Sequence, residues 1–145
     1  MRISIGSDHA GFEQKEQLKA HLEQQGFGVI DRGPTSDARV DYPDFAALVA
    51  DDVVAHDADF GVLVCGTGIG MAIAANKVHG IRAVNIVRED FAVLSREHND
   101  ANVITLSGRF VSFEENSRIL DAFLATSFGE GRHAGRVAKM MALEG

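Results

Sequence analysis

Five times along this chain a short apolar run gives way to a longer stretch whose apolar residues recur at helical spacing. That alternation limits the fold more than any other feature. The strand-like runs are RISIG (2–6), FGVID (27–31), DFGVLVC (59–65), IRAVNIV (81–87) and NVITLSG (102–108). The third is almost wholly apolar, as in a sheet covered on both faces. Between them lie helical patterns. Phe12, Leu18 and Leu22 share one face of the first, which stops near Gly26. Phe45, Leu48, Val49, Val53 and Val54 mark the second, with Pro43 near its start. The third helix follows a glycine loop, the fourth is REDFAVLSREH (88–98), and the fifth carries Ile119, Leu120, Phe123 and Leu124 on one side.

A strand followed by a helix five times over predicts an α/β, Rossmann-like fold: an open parallel sheet with helices on both faces. The commonest five-stranded order of this kind, flavodoxin-like, is 2-1-3-4-5. The 145 residues suit a single domain over 1–145. The tail 129–145 reads as an extra helix behind a glycine hinge and is expected to pack on a neighbouring subunit. In this order strands one and three are neighbours whose connections leave in opposite directions. Ligands bind in that crevice, beyond the carboxyl ends of the strands. The segments placed there are GSDHAG (6–11) and CGTGIG (65–70).

Charge and cysteine content narrow the classes of function. A net charge of −7 argues against broad binding to nucleic acid or an anionic membrane. A small anionic substrate requires cations gathered locally. One cysteine excludes an internal disulfide and a cysteine-rich metal site. With no apolar leader before Asp8, the free thiol predicts a reducing cytoplasm. The longest apolar run, Phe60 to Ala75, is glycine-rich and too short to span a bilayer easily. His21, His56 and His79 are scattered, so no metal is expected.

The segment Cys65-Gly66-Thr67-Gly68-Ile69-Gly70 carries the strongest chemical signal. Its glycines let backbone N–H groups approach a ligand, and the helix behind them adds the positive end of its dipole. Such a loop suits a phosphate or an oxyanion that forms during reaction. It is not a dinucleotide loop, because Met71 stands where the third glycine of G-x-G-x-x-G belongs, and it lacks the lysine of a P-loop. Cys65 has two readings: a buried, inert core thiol, or a thiolate favoured by the helix terminus and serving as base or nucleophile. Thr67 is a loop donor or a turn residue.

The remaining candidates are likewise two-sided. Asp8 caps the first helix or contacts ligand, with His9 beside it. Asp41 and Tyr42 lie in the second loop. His98 and Asn99 end the fourth helix, before strand five, and so stand at the amino end of the sheet, away from the crevice. If catalytic, they serve a neighbouring subunit's site. Arg132 and Arg136, four apart on one helical face with His133 between them, form either a solvated face or a phosphate clamp that Arg109 could join.

The segments GSDHAGF, DYPDFA, CGTGIGMAIAANKVHGIRA, REHNDANVI and GRHAGRV, in this order and spacing, resemble the ribose-5-phosphate isomerase type B family. That family also includes galactose-6-phosphate isomerase subunits and allose-6-phosphate isomerases. The resemblance covers essentially the whole chain. It implies aldose–ketose isomerisation of a sugar phosphate, ribose 5-phosphate to ribulose 5-phosphate or a related pair. No cofactor or metal is implied, and the homodimer or homotetramer shares its sites between subunits. It implies Cys65 as the base at C2, His98 in ring opening, and Gly66, Gly68, Ile69 and Gly70 around the enediolate oxygens. Asp8 and Asn99 would contact sugar hydroxyls. His9, Arg109, Arg132 and Arg136 would hold phosphate, with His133 lining the site. One branch of the family uses a glutamate just after the loop. Met71 stands there, which places this chain with the cysteine branch. Where the family commonly has G-x-R near strand five, this chain has Ser107-Gly108-Arg109.

Overall fold

The strands are laid down by their apolar runs. In the computed structural model, which describes residues 1–145, they are β1 (Arg2–Ser7), β2 (Gly28–Asp31), β3 (Phe60–Cys65), β4 (Ala83–Asn85) and β5 (Val103–Ser107). All pair in parallel, in a single sheet. The helices are α1 (Phe12–Gln24), α2 (Tyr42–Val54), α3 (Ile69–Ala75), α4 (Glu89–Asn99), α5 (Phe113–Ala125) and α6 (Arg132–Ala142). The expected α/β class, with a helix after every strand and one extra at the end, is what forms.

The strand order is β2-β1-β3-β5-β4, so the last two strands exchange places relative to the expected 2-1-3-4-5. The physical reason lies in burial. Every residue of β5 is buried, whereas β4 has only three residues, none of them fully buried. A short, half-exposed strand is suited to an edge, and a wholly covered one to the interior. The exchange leaves the β1–β3 crevice intact but sets the end of β5 directly beside the end of β3, with Cys65 opposite Ser107.

Because successive side chains of a strand face opposite ways, the sheet has two cores. On one face Ile3, Ile5, Val62, Val64, Ile104 and Leu106 pack with Leu18 and Leu22 of α1 and Ile119, Leu120 and Phe123 of α5. On the other, Leu63, Cys65 and Val103 meet Ala46, Val49 and Val53 of α2 and Met71 and Ala75 of α3. Full burial of a Leu, Ile or Phe stabilises by roughly 1.5–3 kcal/mol, so each face holds its helices firmly. Leu48 and Val54 of α2 are each 42% exposed. With Ile69, Ile73, Phe91 and Leu94 they leave apolar side chains of α2, α3 and α4 uncovered. No helix is long and apolar enough to cross a membrane.

Candidate active site

β3 ends by delivering Cys65, 5% exposed, to the head of the glycine loop. Gly68 takes a left-handed conformation (φ 86°) there, and a Cβ on it would stand 2.2 Å from Asn85 Nδ2. Only glycine meets both demands. The result is a tight turn in which Gly68 N–H donates to Cys65 Sγ at 3.1 Å. Ile69 N–H donates to Thr67 Oγ1 at 3.1 Å. The N–H groups of Gly66, Thr67, Gly70 and Met71 have no acceptor within the protein. α3 has seven residues, about two turns. The sulfur therefore meets one directed amide as well as the terminus of a short helix.

The first cleft opens beside this loop. Its lining comprises Asp8 and His9 after β1 and Arg39 to Asp44 at the start of α2. Asp8 Oδ1 accepts from Gly11 N–H at 3.0 Å, so the residue does cap the turn into α1, and it also lines the cleft. His9 Nδ1 accepts from Val40 N–H at 3.3 Å, which leaves Nε2 as the protonated nitrogen of the neutral ring. Tyr42 lies over Gly70, where a Cβ would stand 2.7 Å from its ring. Phenol, carboxylate and imidazole thus border the loop that holds the thiol. Arg39 was not among the candidates read from the sequence. It stands in a polar turn-rich loop, and only the fold brings it to the cleft.

The exchanged strand order places Arg109. The β5–α5 loop lies against the glycine loop through Gly108 N–H to Cys65 O at 2.8 Å and Arg109 N–H to Gly66 O at 3.1 Å. The Arg109 guanidinium then comes within 3.3 Å of where a Cβ of Gly66 would stand. The shifted glycine has its own reason: a Cβ on Gly108 would sit 3.1 Å from Ala10 O. A buried pair steadies this loop from below. Gln14 Nε2 donates to Val111 O at 2.7 Å, and Asn116 Nδ2 donates to Ser107 O at 2.9 Å and to Gln14 Oε1 at 2.8 Å. Nothing in the local sequence marks Gln14 and Asn116, which are 102 positions apart.

A second cluster forms at the opposite end of the sheet. The rings of His98 and His133 stack with centroids 4.4 Å apart. With Asn99, Arg132, Arg136, Val137 and Met140 they line a second cleft. β5 alone separates this end from Cys65 by roughly 13 Å at about 3.3 Å per residue. α6 lies against α4 of its own chain, and none of its residues is buried. Arg32, Arg82, Arg88 and Arg96 are each engaged by an aspartate, whereas Arg109, Arg132 and Arg136 hold no carboxylate. Desolvation, and then the charges of His98, Arg132 and Arg136, hold the His133 imidazole below the ordinary histidine range, with Glu97 opposing. The first cleft measures 570 Å³ and the second 410 Å³, both inside the roughly 300–1,000 Å³ typical of small-molecule sites. Nowhere do three or more His, Cys, Asp or Glu side chains gather in a form that could hold a metal ion.

A thiol and free amides at the carboxyl end of a parallel α/β sheet define a class of Rossmann-like fold built to handle a small polar ligand at its switch point. The chain belongs to the ribose/galactose isomerase family, whose model matches residues 3–140. A Mycoplasma pneumoniae protein named probable ribose-5-phosphate isomerase B is 50% identical over 143 residues, covering 98% of this chain and 94% of that protein. The ribose-5-phosphate isomerase B of Escherichia coli is 46% identical over 143 residues, or 99% of this chain and 96% of that one. The crystal structure of ribose-5-phosphate isomerase B from Mycoplasma genitalium with bound ribulose-5-phosphate has a TM-score of 0.94 at 48% identity. It covers 99% of this chain and 95% of that chain.

Proposed function

We propose that this protein is an aldose–ketose isomerase that interconverts ribose 5-phosphate and ribulose 5-phosphate. The observation that carries the reading is Cys65 Sγ, held by one amide at the mouth of a loop whose neighbouring amides are free. Taking a proton from carbon beside a carbonyl drives charge onto oxygen, and an enzyme must stabilise that oxyanion as it forms. Cys65 as thiolate removes the C2 proton. The C2–H electrons become the C1=C2 bond, and the carbonyl electrons move to O1. Return of the proton from Cys65 to C1, with transfer of the O2 proton to O1, leaves a hydroxymethyl group at C1 and the ketone at C2.

The free amides of Gly66, Thr67, Gly70 and Met71 receive the developing charge, while Gly68 and Ile69 hold the turn. The Thr67 hydroxyl, which already accepts from Ile69 N–H, retains its proton for donation outward. Asp8, Tyr42 and Asn99 contact sugar hydroxyls, and His98 assists ring opening. His9, Arg109, Arg132 and Arg136 hold the phosphate, with His133 beside it. Fixing the phosphate orients C1 and C2 against the sulfur.

The two clusters belong to one site only if a second copy brings the amino end of its sheet to the carboxyl end of this one. We infer a homodimer, or a homotetramer built from it, with each site shared. The uncovered apolar side chains of α2, α3 and α4 supply surface for that contact. The test is a panel of aldose phosphates turned over in D₂O and followed by NMR. Deuterium at the carbon next to the carbonyl of a pentose 5-phosphate supports the reading. Turnover confined to hexose 6-phosphates would reassign the substrate, and no exchange with any sugar phosphate would remove the activity.

A further inference from the structure

Three consecutive carbonyls of the catalytic loop are tied down by side chains that the mechanism above leaves unused. Gly66 O accepts from Ser107 Oγ at 2.7 Å as well as from the Arg109 amide. Thr67 O accepts from Asn85 Nδ2 at 3.2 Å. Gly68 O accepts from Thr105 Oγ1 at 2.7 Å. Asn85 and Thr105 stand directly opposite each other on β4 and β5, and Asn85 Nδ2 also lies 3.2 Å from Thr105 Oγ1. Thr105 is fully buried. Ser107 and Thr105 occupy alternate positions of β5, so both face the side of the sheet that carries Cys65.

A trans peptide is planar, with its C=O and N–H pointing in opposite directions. Holding a carbonyl therefore aims the N–H of the next residue. Ser107 on Gly66 O aims the Thr67 N–H. Asn85 on Thr67 O aims the Gly68 N–H, which is the amide that meets Cys65 Sγ. Thr105 on Gly68 O aims the Ile69 N–H at Thr67 Oγ1. A donor on the carbonyl also polarises the peptide and strengthens its N–H as a donor. We propose that Asn85 and Thr105, with Ser107 acting in the same way one peptide earlier, are positioning residues that set the amides of the glycine loop against the Cys65 sulfur and the forming oxyanion.

This inference rests on Cys65 being the base, but its first readout does not require turnover. Asn85→Leu and Thr105→Val each remove a donor while nearly preserving size. The probe is the rate of iodoacetamide alkylation of Cys65 at pH 7. Loss of a directed amide disfavours the reactive thiolate and slows alkylation, whereas mere loosening exposes the buried thiol and speeds it. Asn85→Leu releases the Gly68 amide directly, and Thr105→Val does so through Asn85, whose Nδ2 loses its contact with Thr105 Oγ1. The expected result in each variant is alkylation slowed about three- to tenfold, the scale of one hydrogen bond. kcat should fall by a similar factor, with KM within twofold. Alkylation that is unchanged or faster, or a loss confined to KM, overturns the proposal. Should Asn85→Leu fail to fold, Thr105→Val carries the test alone. Isomerase activity that survives Cys65→Ala sinks the base assignment, a failure visible separately from the alkylation result.

Discussion

The two ends of the sheet are built from different materials. At the carboxyl end the working groups are main-chain amides and a nearly buried sulfur, fixed by the Gly68 turn and by donors from β4 and β5. At the amino end they are long cationic side chains and stacked imidazoles on α4 and α6, the latter without a single buried residue. The contrast follows from the tasks proposed for each. Stabilising charge that appears only in a transition state requires donors that need no reorganisation. Holding a phosphate that is present throughout can rely on flexible guanidinium groups, whose charge and fork geometry do the recognition. On this proposal the C2 proton transfer is lodged in the sheet, while the peripheral helices supply His98 for ring opening and Arg132 and Arg136 for the phosphate, which His9 and Arg109 hold from the carboxyl end.

The sharpest way to break this comparison is at the sulfur. Cys65→Ala should lower turnover by about 10²–10⁴ while binding of the sugar phosphate persists. Near-normal deuterium exchange in that variant would refute the division of labour. Next comes a mixing experiment. Cys65→Ala and His98→Ala proteins should each be inactive, yet after co-refolding in equal amounts about one quarter of the sites of a symmetric two-chain assembly should have both residues intact. No recovered activity would mean that the two ends serve separate sites.

Gly68→Ala tests the rigidity of the carboxyl end. The left-handed backbone alone costs about 1–2 kcal/mol, and the new methyl would collide with Asn85. Chemical denaturation should show at least that loss, with a fall in kcat. At the amino end, Arg136→Ala should raise KM about tenfold, the scale of one hydrogen bond to a charged group, with kcat little altered. An unchanged KM would return this arginine to the solvent. The smallest effect concerns His133. Because positive neighbours help hold its imidazole below the ordinary range, Arg136→Ala removes one of them and should move its titration to higher pH. Bound phosphate should do the same, since an anion favours the protonated ring. NMR titration of the histidine signals checks both, and a downward move would contradict the electrostatics.

Much of this was legible in the chain itself. The five strands follow from apolar runs, and the Cys65 loop from three glycines at alternate positions behind the third of them. The placement of His98 and Asn99 away from Cys65 follows from chain direction alone, because a helix that precedes a parallel strand must end at that strand's amino edge. The exchange of β4 and β5 was not legible. Both runs are apolar, and their order is decided by which strand the helices can cover on both faces. Its consequence, Arg109 above Gly66, was hidden with it. So were Asn85 and Thr105, whose local sequence reads as ordinary strand and whose role exists only because parallel pairing sets them side by side beneath the loop.

By itself, then, the amino-acid order settled the alternation of elements, the presence of a glycine loop headed by the single cysteine, and the separation of the two clusters. Each of these depends on spacing along one chain, which short-range sterics and hydrophobic periodicity translate directly into structure. Tertiary structure alone decided which strands are neighbours, which carbonyls of the loop are held and which arginines remain without a carboxylate. Those outcomes turn on long-range packing, where residues far apart in the chain compete for the same buried positions and the same donors.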